Sequence, residues 1–214
     1  MKLYTYYRSQ ASFRVRIALN LKGLAHDDTF LHLEKGDQFK PEYKALNPQM
    51  VVPTLIDGEV KLFQSLAILE YLDERYPDPP LLPKDAAARA WVRGMALINI
   101  ADSHPLIVPR VREYLEHEFK LDEAARTKWC QHWHTAALTA LEAHLAGPAT
   151  GRYCHGDTIT LADICLASQA AGAKFFNVDT AQFPNFSRIA NSLATIDAFA
   201  RAHPLKQPGA PAAA

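Results

Sequence analysis

Polar and apolar positions change period several times along the first eighty residues. Lys2 to Tyr6 reads as a strand, and a helix follows from about Ser12. Its stripe is Phe13, Ile17 and Leu21, with Val15 and Leu19 beside it and Ala18 widening it, so burial against a sheet is expected. Gly23 supplies the stop. Asp27 to Leu33 reads as a second strand, after which periodicity weakens from Gln38 to Leu46. Asn47-Pro48 marks a turn before the run Val51 to Ile56, and Asp57-Gly58 is a two-residue hairpin signal with Glu59 to Phe63 returning as partner. Ser65 then stands as N-cap of a helix carrying Leu66, Leu69, Tyr71 and Leu72. The order β-α-β followed by β-β-α predicts an α/β, thioredoxin-like domain with a mixed four-stranded sheet.

The run Pro77 to Pro83 breaks this periodicity, and beyond it Ala-rich segments of helical period replace strand signals. The expected organisation is a thioredoxin-like domain over 1–77, a Pro-rich linker over 78–85, an all-helical bundle domain over 86–203 and a loosely held tail over 204–214. A chain of 214 residues, 49% hydrophobic, can bury a proper core. Its net charge of zero, with no basic stretch interleaved with aromatics, argues against nucleic acid. The cysteines Cys130, Cys154 and Cys165 lack CxxC spacing, which points to a reducing compartment and away from a metal site. With no apolar run of about eighteen residues and no leader-like N-terminus, a cytoplasmic protein without membrane contact is expected.

Candidate chemistry gathers in the first domain. Ser9 and Ser12 flank a helix start, where a hydroxyl and the positive end of the dipole can lower the pKa of a bound thiol, although one serine can equally be a cap alone. Val52-Pro53 enters a strand, and a cis bond there would offer a main-chain N–H and C=O to an extended peptide; an ordinary trans proline is the alternative. Gln64-Ser65 opens a second helix, suited to a carboxylate. Two separated anion sites on one small domain suit a ligand with two negative groups, as glutathione is. Tyr4, Tyr6 and Tyr7 are nearby phenols, of which alternation sends at least one into the core. Elsewhere, His132 and His134 are two apart on a helix and do not converge on a metal, so surface or interface positions are expected. Thr160-x-x-Asp163 has capping-box spacing, and Cys165 reads as inert packing.

The run Arg8-Ser9-x-x-Ser12-Phe13-Arg14-Val15-Arg16-Ile17-Ala18-Leu19 resembles the N-terminal signature of the zeta-class glutathione transferases, which include maleylacetoacetate and maleylpyruvate isomerases. Ala45 to Pro48, Val52 to Leu55, Gln64 to Ile68 and Gly156-Asp157-x-x-Thr160-Leu161-Ala162-Asp163 are similar to further motifs of that family. The resemblance implies glutathione as cofactor, with Ser9 stabilising its thiolate and Gln38, Val52, Gln64, Ser65 and His104 contacting the tripeptide. It implies Arg8 beside a second substrate, a maleyl keto acid or other small electrophile, and a homodimer. Two departures stand out. Gln10 and Ala11 replace the serine and cysteine of the class pattern, and Phe175 occupies the position of an arginine that binds a substrate carboxylate in the isomerases. A phenyl ring cannot replace a bidentate cation, so conjugation or dehalogenation of small electrophiles is the alternative reaction, and a non-catalytic glutathione-fold binding protein the alternative class.

Overall fold

The computed structural model describes residues 1–211. Its first strand, β1 (Lys2–Thr5), buries Leu3 and Thr5. Helix α1 (Gln10–Leu21) begins ahead of Ser12, because Ser9 is the capping residue, and it is buried from Gln10 through Leu19. It ends where Gly23 takes φ +63° and the Leu24 and Gly23 N–H groups close back on Leu19 and Asn20, a Schellman arrangement. β2 (Asp27–Phe30) runs parallel to β1 and stops short of Leu33, which instead opens a 3-10 turn, Leu33–Lys35. A second 3-10 turn, Asp37–Phe39, and the short α2 (Pro41–Leu46) fill the stretch of weak periodicity. β3 (Thr54–Asp57) and β4 (Val60–Phe63) form the expected hairpin, with Gly58 at φ +59° in its turn. α3 (Ser65–Arg75) follows, and the sheet order is β2-β1-β3-β4, with β1–β3 and β3–β4 antiparallel.

The Pro-rich segment is more than a spacer. The Lys22 ammonium bonds Asp73 Oδ1 at 3.1 Å and the Tyr76 and Pro79 carbonyls at 2.6 and 2.8 Å. Leu81 and Leu82 are buried.

The second unit, Leu81–Ala194, is helical throughout its regular elements. α4 (Ala86–Leu97) is capped by Asp85 and runs into a π-helical turn, Ile98–Ser103. α5 (His104–Ile107), α6 (Pro109–His117) and α7 (Glu123–Leu145) follow, the last capped by Asp122. α8 (Leu161–Phe175) opens with a complete capping box between Thr160 and Asp163, and α9 (Pro184–Ala194) packs against α7 and α8. The Asp163 carboxylate also accepts the Cys154 N–H at 2.8 Å, and burial raises its pKa. Among the described residues no helix is long and apolar enough to cross a membrane, and no cluster of His, Cys, Asp or Glu could hold a metal.

α10 (Asp197–Ala202) returns to the first unit, which comprises Met1–Pro80 and the described chain from Thr195. Asn20 Nδ2 donates to the Ala198 carbonyl at 3.0 Å and Arg16 Nε to that of Ala202 at 3.1 Å. The boundaries therefore differ from those read in the sequence: residues 195–203 leave the helical unit, and Pro204, placed there in a loose tail, is buried within a 3-10 turn, Pro204–Lys206. Residues 212–214 of that expected tail lie outside the described residues.

His134 corrects another expectation: it is fully buried. Gln169 Nε2 donates to its Nδ1 at 3.0 Å and to Ser103 Oγ at 3.2 Å, while Gln169 Oε1 accepts from Asn99 Nδ2 and Asn99 Oδ1 accepts from Ser168. An amide nitrogen only donates, so Nδ1 must be unprotonated and the ring neutral. Burial pulls the His134 pKa from 6.5 down to about 4. Below 6.5 the unfolded chain binds this proton before the folded one does, so acid costs stability. The expected loss from pH 6.5 to pH 4 is about 3 kcal/mol, read as a falling melting temperature that His134→Gln flattens. Equal slopes in the two proteins would contradict this.

Candidate active site

Ser9 is the N-cap of α1, with extended backbone at φ −69° and ψ 116°, and its Oγ accepts the Ser12 N–H at 3.1 Å. The cap uses a lone pair, so the hydroxyl proton remains to be donated, and capping and thiolate stabilisation do not compete. The turn is held from behind. Ser9 N–H bonds the Tyr6 carbonyl at 3.1 Å, and the buried Arg16 guanidinium donates to Thr5 Oγ1 at 2.8 Å and to the Tyr6 and Tyr7 carbonyls at 3.4 and 3.3 Å. Burial lowers the Arg16 pKa to about 10, offset in part by Asp28, which leaves it charged at neutral pH. Tyr6 is the tyrosine sent into the core, packed with Tyr43 and Val52.

Val52-Pro53 is cis. Tyr43 Oη and Asn47 Nδ2 both donate to the Val51 carbonyl, at 2.6 and 2.9 Å, which fixes the approach to Val52. Neither the N–H nor the C=O of Val52 enters a hydrogen bond among the described residues.

Gln64 holds φ +66° and ψ 117°, a backbone state that costs a non-glycine residue on the order of 1–3 kcal/mol. Its Nε2 donates to Gln49 Oε1 at 2.9 Å. Ser65 is the first helical residue of α3 and not its cap, as the sequence suggested: Gln64 is the N-cap and makes no side-chain cap bond. Ser65 Oγ instead accepts from Arg14 Nε at 3.0 Å, which leaves the first-turn N–H groups of α3 without a side-chain partner.

Sheet register brings these pieces together. Tyr4 pairs with Thr54, and Thr54 with Phe63. Continuing both registers brings Tyr6, Val52 and Ser65 level at one end of the sheet. Adjacent strands lie about 4.8 Å apart, which puts Ser65 roughly 10 Å across β1, β3 and β4 from the Tyr6 end of β1, three residues before Ser9. An extended tripeptide is about 10 Å long. An open serine O–H, unpaired strand-like main chain and an uncapped helix start spaced in this way suit an extended peptide carrying a thiol and a carboxylate.

The other sequence-derived residues fall as follows. Arg8 is half-buried in the turn before Ser9. Gln38 lies in the second 3-10 turn; its Nε2 donates to the Leu33 carbonyl at 3.3 Å, while its Oε1 is buried without a partner among the described residues, an acceptor that a ligand N–H would satisfy. His104 and Phe175 belong to the helical unit, His104 opening α5 directly after the π-helical turn and Phe175 ending α8. The Arg112 guanidinium lies 5.7 Å from the ring of Phe176, the residue after it. A cavity of about 190 Å³ in the first unit, lined by Tyr4, Leu31, Lys40 and Tyr43, involves none of the candidate site residues. Arg14 and Arg16 were missed as site-building residues. Their burial is a property of the folded chain: α1 is covered from Gln10 through Leu19, so both guanidinium groups need buried acceptors.

Residues 3–80 match the family model for the glutathione S-transferase N-terminal domain. Maleylpyruvate isomerase of Ralstonia sp. is 47% identical over 209 residues, covering 97% of this chain and 99% of that protein. A holo structure of a maleyl pyruvate isomerase, described as a bacterial zeta-class glutathione S-transferase, superposes with TM-score 0.96 at 46% identity, covering 99% of this chain and 100% of that one. A maleylacetoacetate isomerase of Methylobacterium extorquens AM1 with bound malonate and GSH superposes at 0.97 with 47% identity and the same coverage. Similarity of this extent, carried by a chain with this strand-turn-helix and this sheet, means that the protein belongs to the glutathione transferase family, in its zeta class.

Proposed function

We propose that this chain is a glutathione-dependent cis–trans isomerase of a maleyl-type keto acid, of the maleylacetoacetate or maleylpyruvate isomerase kind. The observation that carries the reading is the Ser9 hydroxyl, which keeps its proton to donate at the start of α1, in the same unit as the start of α3, which has no side-chain cap. The substrates named for its relatives supply the keto acid. Glutathione, held by Ser9, Gln38, Val52, Gln64, Ser65 and His104, would supply a thiolate nucleophile for reversible addition to the activated cis double bond, which is the chemistry a cis–trans isomerisation needs.

The chain's residues make that chemistry possible at neutral pH. Ser9 donates to the sulfur, and the positive end of α1 lowers the thiol pKa. Val52 pairs its main chain with the peptide, Gln38 accepts a ligand N–H, His104 adds a polar contact, and Gln64 and Ser65 hold a carboxylate with the first turn of α3. Arg8 orients the keto acid and places positive charge where an enolate develops. The buried thiols of Cys130, Cys154 and Cys165, none of them in a disulfide among the described residues, suit the cytoplasm. Exposed Val60 and Phe63 on edge strand β4 suit the homodimer that the family resemblance implies.

Incubation with maleylacetone is expected to give glutathione-dependent conversion to the trans isomer with glutathione recovered intact. Conversion without glutathione, or none, would contradict the reading. The apolar Phe175 favours a second reaction, conjugation or dehalogenation of a less charged electrophile such as an α-halo acid. Phe175→Arg is expected to raise kcat/KM for the maleyl substrate by about tenfold without a gain on the halo acid. A non-catalytic protein of the same fold would show neither activity.

A further inference from the structure

We propose that Arg14 is a positioning residue for anion recognition: its Nε–H occupies a lone pair of Ser65 Oγ and so fixes the Ser65 hydroxyl as a donor at the start of α3. The inference rests on the glutathione reading above and deepens it by naming what makes that helix start selective for a carboxylate.

Arg14 is 1% exposed, one of the largest fully buried side chains in the protein. Its Nε lies 3.0 Å from Ser65 Oγ, and Ser65 itself is 4% exposed. A guanidinium N–H only donates, so Ser65 Oγ must be the acceptor. A hydroxyl has a single proton, and that of Ser65 finds no acceptor among the described residues. Arg14 thereby locks the hydroxyl in the orientation that leaves its proton for an incoming group. Without Arg14 the hydroxyl would be free to turn inward.

Two further observations point the same way. α3 lacks a side-chain cap, and the Gln64 side chain is drawn off to Gln49 while its backbone holds φ +66°. First-turn N–H groups and an oriented hydroxyl thus share one end of the helix. Glutathione has two carboxylates, one on the γ-glutamyl residue and one on glycine, and this chemistry suits either.

Calorimetry on the full-length protein tests this with glutathione and two analogues. One carries γ-aminobutyrate in place of the γ-glutamyl residue; the other is the glycine amide. The unmodified protein is expected to bind one analogue at least about tenfold more weakly than glutathione. Arg14→Met is expected to weaken glutathione about tenfold to a hundredfold while leaving that same analogue near its original affinity. A uniform loss for all three ligands would assign Arg14 a merely structural role and overturn the inference, as would undiminished glutathione binding. Should Arg14→Met not fold, Arg14→Lys keeps the charge but loses the directed Nε–H; a smaller loss confined to the same carboxylate supports the inference, and an equal loss for all ligands overturns it. Failure of the unmodified protein to bind glutathione would instead overturn the functional reading on which the inference stands.

Discussion

Replacing Ser9 by alanine is expected to lower kcat/KM with a maleyl substrate by about 10²–10³-fold, the usual loss when one preorganised donor to a developing or held anion is removed. The same change also removes a helix cap, which costs about 1 kcal/mol and roughly 2–4 °C of melting temperature in a chain of this size. Ser9→Asp separates the two roles. Aspartate accepts the Ser12 N–H as well as serine does and suits the positive end of α1, but it has no proton to give and repels a thiolate. Its melting temperature should match or exceed that of the unmodified protein, while turnover should fall at least as far as in Ser9→Ala. Turnover in Ser9→Ala within about threefold of the original would remove the serine from the chemistry and return it to capping alone.

Arg16→Met is expected to have the largest effect on stability. The guanidinium serves Thr5 Oγ1 and the carbonyls of Tyr6, Tyr7 and Ala202, and methionine leaves all of them without that donor in a buried setting. The expected cost is about 3–5 kcal/mol. At roughly 2–4 °C per kcal/mol this lowers the melting temperature by about 6–20 °C, measurable by circular dichroism. Arg16→Lys should fall between the two, because an ammonium cannot reach a strand, a turn and the end of α10 from one place. The affected carbonyls include that of Tyr6, which holds the Ser9 N–H, so activity should fall even at temperatures where Arg16→Met remains folded. An unchanged melting temperature would mean that water or neighbouring groups replace the guanidinium at no cost.

Much of this was legible in the chain. The switch from period two to helical period, the Asp57-Gly58 hairpin and the Pro-rich break are local signals, and they yield the strand and helix order correctly. The chemistry at Ser9 was legible for the same reason: a hydroxyl just ahead of a helix is a local motif. What escaped depends on contacts distant in sequence. Ser65 reads as a cap because nothing near it announces that Arg14, 51 residues earlier, occupies its lone pair. His134 reads as a surface residue because its partner Gln169 lies 35 residues away on another helix. The segment Asp197–Ala202 shows helical character, but its assignment to the first unit rests on Asn20 and Arg16 reaching its carbonyls. The π-helical turn before His104 escaped because Ile98–Ser103 differs from an ordinary helical stretch only in its hydrogen-bond spacing.

The central claim is that the start of α1 holds glutathione as a thiolate through Ser9. Titrating the thiolate ultraviolet absorbance of bound glutathione against pH tests it most directly. The account predicts an apparent pKa of about 6–7 in the unmodified protein, well below that of a free thiol, and a return towards about 8.5 in Ser9→Ala. Bound glutathione that titrates like the free thiol, or identically with and without the serine hydroxyl, would contradict it.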